Sequence, residues 1–198
     1  MGVPVFAADS FLTPDSNCYT TDNPFAFPTE AGEVQTLQAE RATTLYNKES
    51  NDGGYPMKIL TNNDRTYVKD MLKNGDYATY AYTAEAGLYL VTAHYYCGGD
   101  NTMILSDAGT KNNNVNTVLM SVGTTNSQWK TKQFLLKINN TGAGTLKIAS
   151  TNENAPYLDK LEITKMQMTK YEGENRFAFP TELNAAAPAT LEAEYGIM

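Results

Sequence analysis

Positive charge is scarce in this chain. Fifteen Lys and Arg stand against 22 Asp and Glu, for a net charge of −7, and the isoelectric point is near 4.7. Nucleic-acid binding needs a basic footprint that this chain lacks, and no run of Lys or Arg would seat it on an anionic membrane. Long apolar runs are missing too: no stretch approaches the ~18 residues that span a bilayer. There is one His and one Trp, and no Gly-x-Ser-x-Gly elbow, Walker loop or His-rich metal cluster, so the usual hydrolase, nucleotide and zinc signatures have no foothold. Asp/Glu pairs are available for a glycosidase argument, but nothing isolates two of them in a cleft. The ~130 patterned residues are also few for such an enzyme. The only two cysteines, Cys18 and Cys97, either pair or stay reduced, with a buried thiol expected at Cys97. No segment shows a 3.6-residue apolar stripe, which argues against helices.

Hydrophobic residues make up 41% of the 198 positions, enough to build a core, and 13 tyrosines dominate the aromatics. The hexapeptide Phe-Ala-Phe-Pro-Thr-Glu occurs twice, at Phe25 to Glu30 and at Phe177 to Glu182. Each copy is followed by a second shared element, Leu37-Gln-Ala-Glu40 and Leu191-Glu-Ala-Glu194. Paired motifs that bracket one long patterned stretch are the mark of tandem modules. The expected organisation is a linker or tail over 1–33, a module over 34–168, a linker over 169–190, and the start of a following module at 191–198. Phe177 and Phe179 are unusual in a free linker and suggest that the hexapeptide docks on a neighbouring module. The opening Val3-Pro-Val-Phe-Ala-Ala-Asp9 reads either as the cleavage-site end of a secretory signal or as vector-derived residues followed by linker.

Between the tails, short strands alternate with turns. Tyr77 to Tyr82 alternates its faces, and Leu88 to Tyr96 is a long strand closed by Gly98-Gly-Asp-Asn101. Further strands are predicted at 102–106, 117–122, 130–138, 145–150 and 157–164. The stretch Asn51 to Thr66, with its Asp-Gly-Gly and Asn-Asn-Asp clusters, reads as irregular loop. Evenly spaced strands without helices predict an all-β, antiparallel β-sandwich of one module.

The ordered motifs resemble the carbohydrate-binding modules of families six and thirty-five. They are Leu37-Gln-Ala-Glu40, then Tyr67 to Tyr77 with its Gly-Asp-aromatic end, then Ala86-Gly-Leu-Tyr-Leu-Val-Thr-Ala-His-Tyr-Tyr96. Trp129 opens a strand, and Tyr157-Leu-Asp-Lys-Leu-Glu-Ile163 closes the module. The resemblance covers residues 37 to 165. It implies a jelly-roll module of a secreted, polysaccharide-degrading protein: noncatalytic, extracellular or at the cell surface, appended to a glycoside hydrolase or similar enzyme, and binding plant cell-wall polysaccharide. Neighbouring tandem modules are the other implied partner. The rival from a different class is a structural or adhesive repeat of a surface protein, without a sugar site.

Glu40 in the first strand and Asp159 in the last converge if the terminal strands pair, and two carboxylates from distant segments suit Ca²⁺. The resemblance implies such a structural calcium, usually with an acidic residue where this chain has Gln38. Gln38 offers an amide oxygen but no charge. For sugar, aromatic faces supply contact area at little entropic cost and a few polar groups fix orientation. Trp129 is either a stacking platform or core packing. Tyr55 and Tyr67 are candidates for a second ring. Asn152 and Asn154 stand where the resemblance places an amide that bonds sugar hydroxyls, with ordinary turn chemistry as the alternative. The expected site is carried by loop aromatics along a rim at one edge of the sandwich, and Asp100 and Asn101 are candidates for the same rim. His94, inside a strand, reads as a packed core or face residue.

Overall fold

The computed structural model describes residues 10–11, 17–47, 57–62, 64–71, 75–108, 114–151 and 156–167. Its strands are β1 (Ser10–Phe11), β2 (Phe25–Ala26), β3 (Val34–Gln38), β4 (Thr44–Asn47), β5 (Lys58–Asn62), β6 (Arg65–Lys69) and β7 (Tyr77–Ala84). They continue as β8 (Gly87–Tyr96), β9 (Asn101–Asp107), β10 (Val118–Val122), β11 (Lys130–Ile138), β12 (Gly142–Ser150) and β13 (Tyr157–Lys165). One 3₁₀ turn, Ala39–Arg41, is the helical element among the described residues.

Two sheets form a sandwich. One runs β1-β4-β7-β12-β9-β10, with β2 added beside β7; the other runs β11-β8-β13-β6-β5, with β3 added beside β13. Pairing is antiparallel except for β2 on β7. Period-two alternation decides the faces. On β8, Tyr89, Val91, Ala93 and Tyr95 are buried while the residues between them are not. On β12, Leu146 and Ile148 point inward opposite Tyr80 and Ala78 of β7, and these four, with Tyr82, are fully buried. Each buried Tyr removes enough area to contribute about 4–6 kcal/mol of gross transfer free energy. The predicted all-β sandwich is the fold found.

Two local expectations are corrected. Residues 17–33, expected to be tail, are part of the fold: Tyr19, Phe25 and Phe27 are buried at 5%, 5% and 3% exposure. Their rings form an edge-on chain into Tyr82 and Tyr89. The Pro- and Thr-rich composition hid this, because the segment's buried residues follow no sustained period and it pairs over just two positions. The stretch read as loop up to Thr66 contains β5 and the start of β6, a hairpin paired from Lys58↔Lys69 to Asn62↔Arg65. Cys18 and Cys97 are both buried and are not joined to each other. The Cys97 thiol approaches the carbonyls of Gly99 and Gly123, and burial pushes its pKa up. The expected 169–190 linker and 191–198 module start lie outside the described residues.

Candidate functional site

The outward positions of the sheet that contains β8 and β13 carry aromatic side chains in a row. Tyr157 is the register partner of Tyr96. Lys130 pairs with Tyr95, which sets Trp129, the residue before β11, beside Tyr96. Tyr67 on β6 completes the set. Tyr96 and Tyr157 stack at 5.6 Å and 19°, and Tyr157 and Tyr67 at 5.8 Å and 16°. Trp129 meets Tyr67 edge-on at 5.2 Å and Tyr96 at 5.8 Å. Tyr67 is 8% exposed and acts as the floor; Tyr96, Trp129 and Tyr157 are half-buried.

This row lines an open groove of about 1010 Å³ whose walls include Asn62, Asp64, Arg65, His94 and Lys160. The Arg65 guanidinium lies 5.2 Å from the Trp129 ring centroid, and Lys69 Nζ lies 5.2 Å from that of Tyr157. Below the row, Lys160 Nζ donates to Glu162 at 2.7 Å. His94 Nε2 stands 3.1 Å from the other Glu162 oxygen, a close approach without hydrogen-bond alignment. The bond from Lys160, then His94, holds the Glu162 carboxyl below its ordinary range.

At one end of the groove the terminal strands meet. β3 pairs with β13, Gln38 opposite Lys160, and the chain turns at once into the 3₁₀ turn that carries Glu40. The Tyr80 hydroxyl donates to the Ala39 carbonyl at 3.0 Å and fixes that turn from the core. On β13 the register slips between Leu158 and Lys160. Such a bulge re-aims a side chain; Asp159 stands at it, lines the same groove as Glu40 and is near enough for its charge to act on Glu40. Burial, with Asp159 adding its negative field, pushes the Glu40 carboxyl up. Glu40 Oε2 is buried without a hydrogen-bond partner. Asp159 accepts from Arg65 Nη1 at 2.5 Å.

Among the described residues no group of three or more His, Cys, Asp or Glu side chains is arranged to hold a metal ion. A smaller donor set does fit a hard cation: two carboxylates, one with an orphaned buried oxygen, and the Gln38 side chain on the same groove. Arg65 already supplies Asp159 with one positive neighbour.

Of the sequence candidates, Trp129, Tyr67, Gln38, Glu40 and Asp159 all line this one groove. Tyr55, Asn152 and Asn154 lie outside the described residues. Asp100 and Asn101 are not among the groove's lining. Tyr67 stands on a strand rather than a loop, and the rings gather on a sheet face rather than along a loop rim. Glu40 sits in the turn after the first strand, not within it. Sequence reasoning missed Tyr96, Tyr157 and Arg65. The signal for Tyr96 was present, since it is out of phase with the inward Tyr89, Val91, Ala93 and Tyr95.

No protein-family model and no curated protein matches the sequence. Solved structures do match. A family 35 carbohydrate-binding module from Clostridium thermocellum is 19% identical, covering 66% of this chain and 97% of that one, with a TM-score of 0.51. A family 6 module from Cellvibrio mixtus lichenase 5A, in complex with cellotriose, is 17% identical over 67% of this chain and 98% of that one, with a TM-score of 0.52. A family 6 module from Clostridium stercorarium, in complex with cellobiose, is 16% identical over 72% and 97%, with a TM-score of 0.50. The sandwich described above is the fold of the family 6 and family 35 carbohydrate-binding modules.

Proposed function

We propose that this chain is a noncatalytic carbohydrate-binding module that seats a saccharide on the Trp129–Tyr96–Tyr157 row. The observation that carries this reading is an open groove floored by a row of aromatic rings and walled by polar side chains. Pyranose C–H faces pack on exposed aromatic surface at little entropic cost, while Asn62, Asp64, Arg65 and Lys160 are in place to meet hydroxyls. Two modules of the same fold hold cello-oligosaccharides, which supports a neutral plant cell-wall glycan as the ligand class. The wider role we propose is secreted or cell-surface, raising the local concentration of an attached polysaccharide-active enzyme on its substrate.

A structural Ca²⁺ belongs to the same proposal. The Glu40 and Asp159 carboxylates and the Gln38 amide oxygen would hold it, and its charge would neutralise an otherwise crowded acidic pair. With Gln38 in place of a third carboxylate, the affinity would be modest.

Affinity electrophoresis and calorimetry against xylans, mannans, galactans, glucans and uronic-acid glycans test the reading. At least one polysaccharide is expected to bind. Trp129→Ala and Tyr96→Ala should each weaken that binding tenfold or more, about 1.4 kcal/mol, without altering the melting temperature in proportion. Silence across the panel, or binding indifferent to both substitutions, would refute it.

A further inference from the structure

The repeated hexapeptide has a structural role that extends the repeat beyond its six letters. In the first copy, Phe25 pairs with Tyr82 in the parallel β2–β7 ladder, and the Phe27 amide donates to the Thr83 carbonyl at 2.9 Å. Phe27 lies 5.0 Å from Tyr89 and 5.3 Å from Tyr82. Phe25 lies 5.4 Å from Tyr19, whose carbonyl accepts from the Ala81 amide. Tyr19, Phe25, Phe27 and Pro28 are buried, while Thr21, Asp22 and Asn23 are exposed.

Set against the second copy at an offset of 152, Tyr19 falls on Tyr171, Asn23 on Asn175, and Phe25 to Glu30 on Phe177 to Glu182. The four differences (Thr20/Glu172, Thr21/Gly173, Asp22/Glu174, Pro24/Arg176) fall on the Thr20–Asn23 turn and its exit. From Tyr19 to Glu30 every position that is buried in the first copy is therefore identical in the second, and change is confined to residues that touch solvent in whole or part; the match ends at Tyr19, since the buried Cys18 before it falls on Lys170. A linker under no packing constraint has no reason to partition its differences this way. Further on, with the offset grown to 154, Thr36, Leu37, Ala39 and Glu40 fall on Thr190, Leu191, Ala193 and Glu194. Leu37 and Ala39 are again fully buried.

We propose that Tyr171–Glu182 is a second core-filling strand, which seats in the Tyr82/Tyr89-type slot of another unit of this same fold. The partner is thus a further copy of the module, following in the polypeptide. The junction between units is then Met168-Thr169-Lys170 rather than a linker of some twenty residues. At full stretch the step from Gln167 to Tyr171 spans about 14 Å. The Gly32 amide donates to the Lys165 carbonyl and the Lys165 amine to the Thr29 carbonyl, so the last strand leaves the fold beside the end of the plug. Consecutive units would be held close and in restricted orientation. This inference is independent of any sugar site.

Two arms test it by thermal unfolding of the full chain. In the first, Thr20→Glu, Thr21→Gly, Asp22→Glu and Pro24→Arg together write the second copy into the first position. The melting temperature should stay within about 5 °C of the parent, whereas Phe25→Ala with Phe27→Ala should lower it by more than about 10 °C. In the second, Phe177→Ala with Phe179→Ala in the otherwise unchanged chain should leave it unmoved. In a chain that begins at Ala31, where the slot has lost its own plug, the same pair should lower it by about 10 °C or more, because the second copy then fills the slot. Failure of the graft to the level of the Phe25/Phe27 double variant overturns the proposal. So does loss of stability on Phe177→Ala/Phe179→Ala in the full chain, or indifference of the Ala31 chain to that pair. If the Ala31 chain is unfolded throughout, the graft alone decides.

Discussion

At the scale of single residues, the groove pays for its acidic end. Glu40 is half-buried, one of its oxygens has no partner, and Asp159 adds its negative field. Its carboxyl therefore binds a proton more readily in the folded than in the unfolded chain. A raised folded value means that stability is fully present at pH below the unfolded carboxylate range and declines as pH rises through the Glu40 value. Glu40→Gln should flatten that decline and, without metal, raise stability at pH 7 by about 1 kcal/mol, the low end of the cost of a buried unsatisfied group. The same substitution should cancel any rise in melting temperature on adding Ca²⁺ to the parent, as scanning calorimetry with calcium or chelator will show. A parent chain indifferent to both additions would remove the metal from the proposal. Gly144 tests the core on the other side. A Cβ there would lie 2.5 Å from the Tyr82 ring, itself held by the Asn114 amide, so Gly144→Ala should cost about 1–3 kcal/mol in urea unfolding.

At the scale of elements, β10 ends its sheet and, among the described residues, pairs only with β9. It presents Leu119 at 60% exposure. An apolar edge strand invites pairing between molecules, and charge on such an edge blunts it. Leu119→Lys should therefore change stability by less than about 0.5 kcal/mol while reducing concentration-dependent association in sedimentation velocity. The longer strands were legible because alternation over eight to ten residues gives an unambiguous face, as on β7 and β8. β5 and β6 were not, because five-residue strands flanked by Asn and Gly clusters carry too few periods to outweigh turn chemistry. The meeting of Glu40 with Asp159 was readable from terminal-strand pairing. The β13 register slip at Asp159 was not, since such a slip is set by the facing strands rather than by local sequence. Trp129 was visible as a candidate because it opens a predicted strand at a place where the resemblance expects an aromatic. That its neighbours are Tyr96 and Tyr157 depends on cross-strand register, which no single segment encodes.

At the scale of the whole molecule, the decisive contacts join the chain's extremes. β3 near the start pairs with β13 at the end of the described fold, and the Phe25–Phe27 plug fills the sandwich beside β7 and β8. This argues that the folding unit begins well before residue 34, where composition and motif spacing alone would set the boundary. Cutting at 34 would remove the buried Tyr19, Phe25 and Phe27 together and would leave Tyr82 and Tyr89 facing water along one side. Loss of a single large core ring costs about 3–5 kcal/mol, and a domain's whole stability is about 5–15 kcal/mol. A fragment spanning 34–167 should accordingly be unfolded or molten, with exposed apolar surface that binds a hydrophobic dye. A fragment spanning 10–167, which keeps every described strand, should melt cooperatively within about 3 °C of the full chain. Circular dichroism and dye binding on the two fragments decide it. Cooperative melting of the shorter one near the parent temperature would show that the plug is a passenger, and that the sandwich closes without it.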